Sequence, residues 1–218
     1  MRRMYGSLVV VTAAMFVFAP IFIALVRFEP TMGLVQKIFY FHFPPAILML
    51  GSAIITGIAS AWFLAKRRPS ADHLALAAAE LTVLFGLITL VTGPLWARKA
   101  WGVWWEWDAR LTMSLLLWMI FIAYLLLRKY GGPGSEILSA GLAVFGMANV
   151  PFIYVSVNVW RTMHPKTTVV PTLPVDMGGA LWFSVAAFVL LYLMLLTARV
   201  RLEKQRAVVE QIYLELEE

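Results

Sequence analysis

Cysteine is absent from all 218 positions. That excludes a disulfide framework, a thiolate nucleophile and any Cys-ligated metal centre. Charge is scarce too: Asp, Glu, Lys and Arg make up 14% of the chain, against roughly a quarter in soluble domains. The net charge of +6 therefore has no soluble basic domain to sit on, and it gives no sign of nucleic-acid binding. No phosphate-binding G-x-x-x-x-G-K-[ST] loop occurs, so the chain carries no ATPase motif of its own and no intrinsic enzymatic activity is expected. No internal repeat or low-complexity stretch is evident. Histidine is limited to His42, His73 and His164.

Apolar side chains are abundant: 61% of residues are hydrophobic, and the mean hydropathy is +0.81. About 20 consecutive apolar residues cross a bilayer as a helix. Six runs qualify: Leu8–Val26, Ala46–Leu64, Leu74–Thr92, Leu111–Leu127, Ile137–Val157 and Gly179–Thr197. The expected fold is an all-α integral membrane protein of six transmembrane helices. The expected division is residues 1–200 as the membrane domain and 201–218 as a short cytoplasmic C-terminal helix. The first run follows Arg2 and Arg3 but is long for a signal peptide and lacks a clear cleavage site, so it reads as a retained helix.

Basic residues set the orientation. Arg2 and Arg3, the Lys66–Arg67–Arg68 run, Arg128 and Lys129, and Arg199, Arg201, Lys204 and Arg206 fall on one side by parity. That side is expected to be cytoplasmic, with both termini. Loops one, three and five then lie outside. His42 in loop one and His164 in loop five share the outer face with loop three. His73 lies on the opposite face as a helix-start residue, with Ser70 and Asp72 as capping signals.

Loop three holds the densest feature of the chain, Trp101-Gly-Val-Trp-Trp-Glu-Trp-Asp-Ala-Arg110. Tryptophan suits the membrane interface, because its ring is apolar and its N–H needs a polar partner. Four in one loop exceed an ordinary aromatic belt and make a platform for a large planar ligand. As a helix, the segment would put Trp101, Trp104, Trp105 and Asp108 on one face. As an extended chain, Trp101, Trp105 and Trp107 would align instead. Gly102 permits close backbone approach. Asp108 also suits the N-terminus of helix four.

Val35, Ile38, Phe39 and His42 share a helical face, and Pro44 and Pro45 are expected to break or restart that helix. Pro165 biases His164 toward an extended or turn conformation. Two imidazoles on loops beside a Trp platform suit the two axial positions of a heme iron. Arg110, Arg161 or Lys166 is expected to pair with its propionates. Glu80 lies within helix three, where a hydrogen bond to a neighbouring helix is expected. Asn149 and Asn158 are expected to bond across helices, and Pro151 to kink helix five. In the tail, Val209, Ile212, Tyr213 and Leu216 form one stripe for a cytoplasmic partner or the membrane.

The stretch GPLWARKAWGVWWEWDARLT, residues 93–112, resembles the WWD signature of heme-handling proteins, specifically the heme exporter protein C family of cytochrome c maturation. KIFYFHFP at 37–44 and NVPFIYVSVNVWRTMHP at 149–165 extend the resemblance, which covers nearly the whole chain. Pro165 after His164 and Val159 before Trp160 depart from the family pattern. The resemblance implies that His42 and His164 are the axial ligands of heme b. It implies that Trp101, Gly102, Trp104, Trp105, Trp107, Asp108 and Arg110 form the heme platform, with Leu111 matching the end of the signature. It further implies the outer face of a bacterial inner membrane and delivery of heme to a membrane-tethered chaperone that takes it covalently on its own His. The implied partners are the ATPase and membrane subunits of an ABC transporter, a small one-span subunit and lipid. Alternatives from other classes are a b-type electron-transfer cytochrome, a heme lyase of the same superfamily, a heme channel and a purely structural subunit.

Overall fold

The computed structural model describes residues 2–30 and 32–217; the side chains of Arg2 and Arg3, and Glu218 at the end of the tail, lie outside the described set. Six α-helices follow one another: α1 (Arg2–Leu25), α2 (Phe39–Lys66), α3 (Pro69–Ala100), α4 (Ala109–Tyr130), α5 (Ser135–Val159) and α6 (Val175–Glu217). Each contains a window long and apolar enough to cross a membrane. The chain is an all-α multi-pass membrane protein. Backbone groups in lipid must be satisfied within their own segment, so apolar runs of this length fold as helices. Five of the six expected runs lie within these helices, and the first, Leu8–Val26, overruns α1 by Val26 alone; the helices extend past the runs because flanking polar residues add turns outside the hydrocarbon.

Small side chains bring α2 and α3 close. Ser52, Ala53, Thr56 and Ser60 face Ala75, Ala77, Ala78, Ala79 and Thr82, all buried. Ser52 Oγ donates to the Ala78 carbonyl at 2.7 Å across that seam. In lipid no hydrophobic effect drives helices together, so close packing and interhelical hydrogen bonds hold the seam. A Cβ at Gly57 would strike Met147, and one at Gly86 would strike Trp118. These two glycines set the approach of α2 to α5 and of α3 to α4. Phe85, Leu117, Phe121, Tyr124, Phe188 and Tyr192 fill the middle of the bundle. The packing partner of α1 is α6.

Polar pairs sit at the end of the bundle opposite His42 and His164. Arg128 clasps Asp72 with two hydrogen bonds of 2.7 Å. Arg199 holds Glu80 through both oxygens and Glu203 at 2.7 Å. The helix-to-helix bond expected for Glu80 is thus made, with Arg199 of α6. Asn149 likewise donates to the Met113 carbonyl on α4 at 3.1 Å.

Four local expectations are corrected. Pro44 and Pro45 lie inside α2, not at its start, because a 3₁₀ turn, Leu34–Ile38, leads into Phe39 and moves the helix start upstream. His42 is therefore a helix residue and not a loop residue. Ser70 and Asp72 do not cap α3: its N-cap is Arg68, followed by Pro69, whose missing N–H suits that position, and Asp72 is engaged by Arg128. Asn158, in the last turn of α5, bonds to loop five and not to another helix, donating to Thr167 Oγ1 at 3.1 Å. Gly102 has open space around it and φ of +80°, so it serves a left-handed turn.

Candidate functional site

His42 and His164 come together at one end of the bundle, in walls of the same cavities. His42 stands one turn into α2 and is 8% exposed. Its ring lies on α3, where a Cβ built at Gly93 would be 3.3 Å from His42 Cε1. Trp96 meets it edge-on, with ring centroids 5.9 Å apart. His42 Nδ1 is 2.9 Å from Thr92 Oγ1. That hydroxyl has one proton, which it donates to the Ile88 carbonyl at 2.7 Å. Toward the imidazole it acts as acceptor, so Nδ1 carries the N–H and the lone pair is on Nε2.

His164 reaches the same tautomer by a different partner. Its Nδ1 is 3.0 Å from the Pro165 carbonyl, which only accepts, so Nε2 is again the free nitrogen. Burial pushes its pKa down to about 4, with the charge of Arg110 acting in the same direction. The ring is neutral at physiological pH, the form that binds a metal.

Loop five is tied to the Trp-rich segment through Asp108. The His164 backbone N–H donates to Thr162 Oγ1 at 3.0 Å, and the Thr162 hydroxyl donates to Asp108 Oδ2. Asp108 Oδ1 accepts the Leu111 N–H at 2.8 Å as the N-cap of α4. One carboxylate thus starts a helix and anchors the loop that carries the second histidine.

Two cavities meet at the histidines. The smaller, about 70 Å³, runs toward Trp101, Trp105 and Leu111. The larger, about 350 Å³, runs toward Phe43, Tyr154 and Trp182. His42, His164, Trp96 and Arg110 border both. Arg110 donates from Nη1 to the Ile153 carbonyl at 3.0 Å, which sets its fork beside the imidazoles. The indole N–H groups of Trp96 and Trp105 are buried without an acceptor. An unpaired buried donor costs about 1–3 kcal/mol, a cost that a ligand bringing carboxylate oxygens would remove. Two neutral imidazoles, a guanidinium, two waiting indole donors and apolar walls together fit a heme: iron, propionates and macrocycle each find their chemical counterpart.

The Trp-rich segment is neither helix nor strand; residues 101–108 form a turn and coil between α3 and α4. It divides its four tryptophans. Trp101 stacks on Trp96 at 6.1 Å and, like Trp105, lines the smaller cavity. Trp104 and Trp107 are 57% and 75% exposed. Lys166 borders the larger cavity. Arg161 lines a separate groove beside Trp107 and Trp160 and neither of the cavities that the histidines border. His73 stands at the far end of the bundle.

Three residues were not singled out from the sequence. Gly93 and Trp96 lie within the 93–112 stretch but carry no mark there of facing His42. Thr92 gives no signal at all, because its role exists only once α2 and α3 pack.

Six spans define a multi-pass membrane protein, and the cavities shared by His42 and His164 at one end of the bundle are its candidate site. The chain belongs to the heme exporter protein C family, whose model matches residues 1–213. It is 37% identical over 150 residues to heme exporter protein C of Bradyrhizobium diazoefficiens, covering 68% of this chain and 55% of that protein. It is 32% identical over 190 residues to the Escherichia coli K12 heme exporter protein C, covering 82% and 76%. A putative cytochrome c biosynthesis ccmC-like mitochondrial protein of Marchantia polymorpha is 34% identical over 156 residues, covering 72% and 66%. The match thus spans about half of the Bradyrhizobium protein and about two thirds of the Marchantia one.

Proposed function

We propose that this chain binds heme b at the histidine end and presents it to a membrane-tethered heme chaperone for cytochrome c maturation. The observation that carries this is the pair of free Nε2 lone pairs in cavities that His42 and His164 both border. Neutral imidazoles held through Nδ1 are prepared axial ligands. Arg110 faces one propionate, with Trp96 and Trp105 donating their indole N–H groups; Lys166 serves the outer edge. Trp101 and Trp105 border the macrocycle, while exposed Trp104 and Trp107 offer the chaperone an aromatic surface.

Handover falls to His164. His42 is fixed on a helix, whereas His164 sits on a loop held by the Asp108–Thr162 link. Release of one axial ligand frees a coordination position for the chaperone's histidine. The basic residues at the opposite end support a cytoplasmic side for that end and both termini, with the histidine end on the outer face of a bacterial inner membrane. An ATPase and membrane subunits of an ABC transporter, with a small one-span subunit, complete the assembly.

The test is transfer. Purified chain loaded with hemin is mixed with heme-free chaperone. Heme should appear covalently on the chaperone, and His164→Ala should abolish both loading and transfer. Tight retention of heme by the wild type with no transfer contradicts the proposal. That outcome, with reversible one-electron cycling by a quinol, favours the second reading, a b-type cytochrome. Its supporting observation is that His42 stands on a spanning helix.

A further inference from the structure

Helix α6 is 43 residues long, about 64 Å at 1.5 Å per residue, roughly twice the hydrocarbon thickness of a bilayer. Its last turns extend away from the bundle at the end opposite His42 and His164, cytoplasmic in the orientation proposed above. There its amphipathicity is inverted. Glu203, Arg206, Ala207 and Glu210 face a polar basin shared with Asp72, Glu80 and Arg128. On the remaining surface Leu202, Val208, Val209, Ile212, Tyr213 and Leu216 fall within a sector of about 140° at 100° per residue. Each of these six is at least 50% exposed. An apolar stripe turned toward water and away from its own bundle marks a contact surface.

The stripe continues the track of α1. Phe22 packs on Phe183 with centroids 4.7 Å apart, and Arg201 lies over the Tyr5 ring at 5.1 Å. Phe183 and Arg201 are eighteen residues apart, five full turns, so α1 follows one line of α6. Val208, seven residues further, lies near that same line and is 58% exposed.

Charges along the stripe select what covers it. Lys204 and Arg206 flank the membrane-proximal part, and Glu210, Glu215 and Glu217 the distal part. A second copy, held parallel by the membrane, would set like charges side by side along the whole length. Anionic lipid would repel the acidic tip, and an unbroken helix continuing a span carries the stripe off the bilayer. We infer that the extended end of α6 docks a helical face of a different, cytoplasmic protein, apolar along its centre, with carboxylates nearest the membrane and Lys or Arg further out.

The lack of cysteine makes a direct test simple, since one introduced thiol is unique in the chain. Val209→Cys and Ile212→Cys on the stripe, and Gln211→Cys off it, are labelled with a bulky maleimide. Labelling is compared between inverted vesicles from cells that make the whole assembly and the purified chain in detergent. In the vesicles the two stripe thiols should react about tenfold more slowly, the effect of a surface some nine-tenths occupied. Gln211→Cys should react equally in both. Adding Glu210→Lys, Glu215→Lys and Glu217→Lys should restore labelling, with no change in hemin binding at the other end of the molecule. Equal reactivity of stripe thiols in vesicles and detergent overturns the inference. So does a disulfide-linked homodimer of Ile212→Cys, which would identify a second copy. Protection in liposomes holding the purified chain alone would identify lipid and overturns it as well.

Discussion

At the residue scale, the proposed site depends on which nitrogen of each imidazole holds its proton. Thr92 fixes this for His42 by accepting from Nδ1 while its own proton is bound to the Ile88 carbonyl. Thr92→Val keeps the shape and removes that acceptor. It should weaken hemin binding by about 10–100-fold, the usual effect of losing a partner that orients a metal ligand, and shift the absorption maximum. Thr92→Ser should restore both, which a purely packing role would not give. Gly93→Ala should act on the same ring by contact, because the added methyl would stand 3.3 Å from His42 Cε1. The pH response follows from His164, whose pKa is pushed down to about 4. The folded, heme-free protein stays neutral there while an unfolded histidine protonates near 6.5. Between those values the unfolded state binds more protons, so stability falls as pH drops from 6.5 toward 4 and levels off below. Hemin affinity, which needs the neutral ring, should hold steady down to about pH 5 and fall as pH passes through 4. A fall centred at pH 6.5 in titrations of the wild type contradicts this placement of His164.

At the element scale, Asp108 joins the start of α4 to loop five. Asp108→Ala should cost about 1 kcal/mol for the cap alone, read as a lowered Tm, and should also release His164 and lower hemin affinity. Asp108→Asn keeps an oxygen for the Leu111 N–H but weakens the link to the Thr162 hydroxyl, so it should preserve more stability than affinity. Helix count and type were legible in the sequence because lipid admits few backbone solutions and each apolar run is long. The ends were less legible. The 3₁₀ turn before Phe39 carried helix α2 past Pro44 and Pro45, and no sequence rule gives that without the packing of Tyr40 and Phe39. The Trp-rich segment defeated both periodic readings because it adopts neither period. Half-buried Trp101 stacks on Trp96 of the preceding helix and half-buried Trp105 lines the same cavity, while Trp104 and Trp107 stay exposed.

At the scale of the whole molecule, the two ends differ in chemistry. One end gathers neutral imidazoles and aromatic rings beside the exposed Arg27–Asp176 pair; the other gathers the ion pairs of Arg128 and Arg199. Asp72 and Arg128 form the least exposed pair, at 14% and 16%. Removing one partner of such a pair leaves a charge uncompensated, so Asp72→Asn should lower thermal stability while leaving the heme spectrum unchanged. The even parity of six spans puts both termini on one side, and a reporter fused at the C-terminus should be active only in the cytoplasm. The pairing of His42 with His164 was visible in the sequence only by loop parity and by family resemblance; Thr92, Gly93 and Trp96 emerge from the packing of α2 on α3. The central claim is that these two histidines hold one heme. Its most direct measurement is the absorption spectrum of the purified chain from heme-replete cells, oxidised and then reduced with dithionite, beside the His42→Ala/His164→Ala double variant. The account predicts a low-spin bis-imidazole spectrum in the wild type that the folded double variant lacks. An unchanged spectrum in the double variant, or a wild type that neither carries heme nor takes up added hemin, would contradict it.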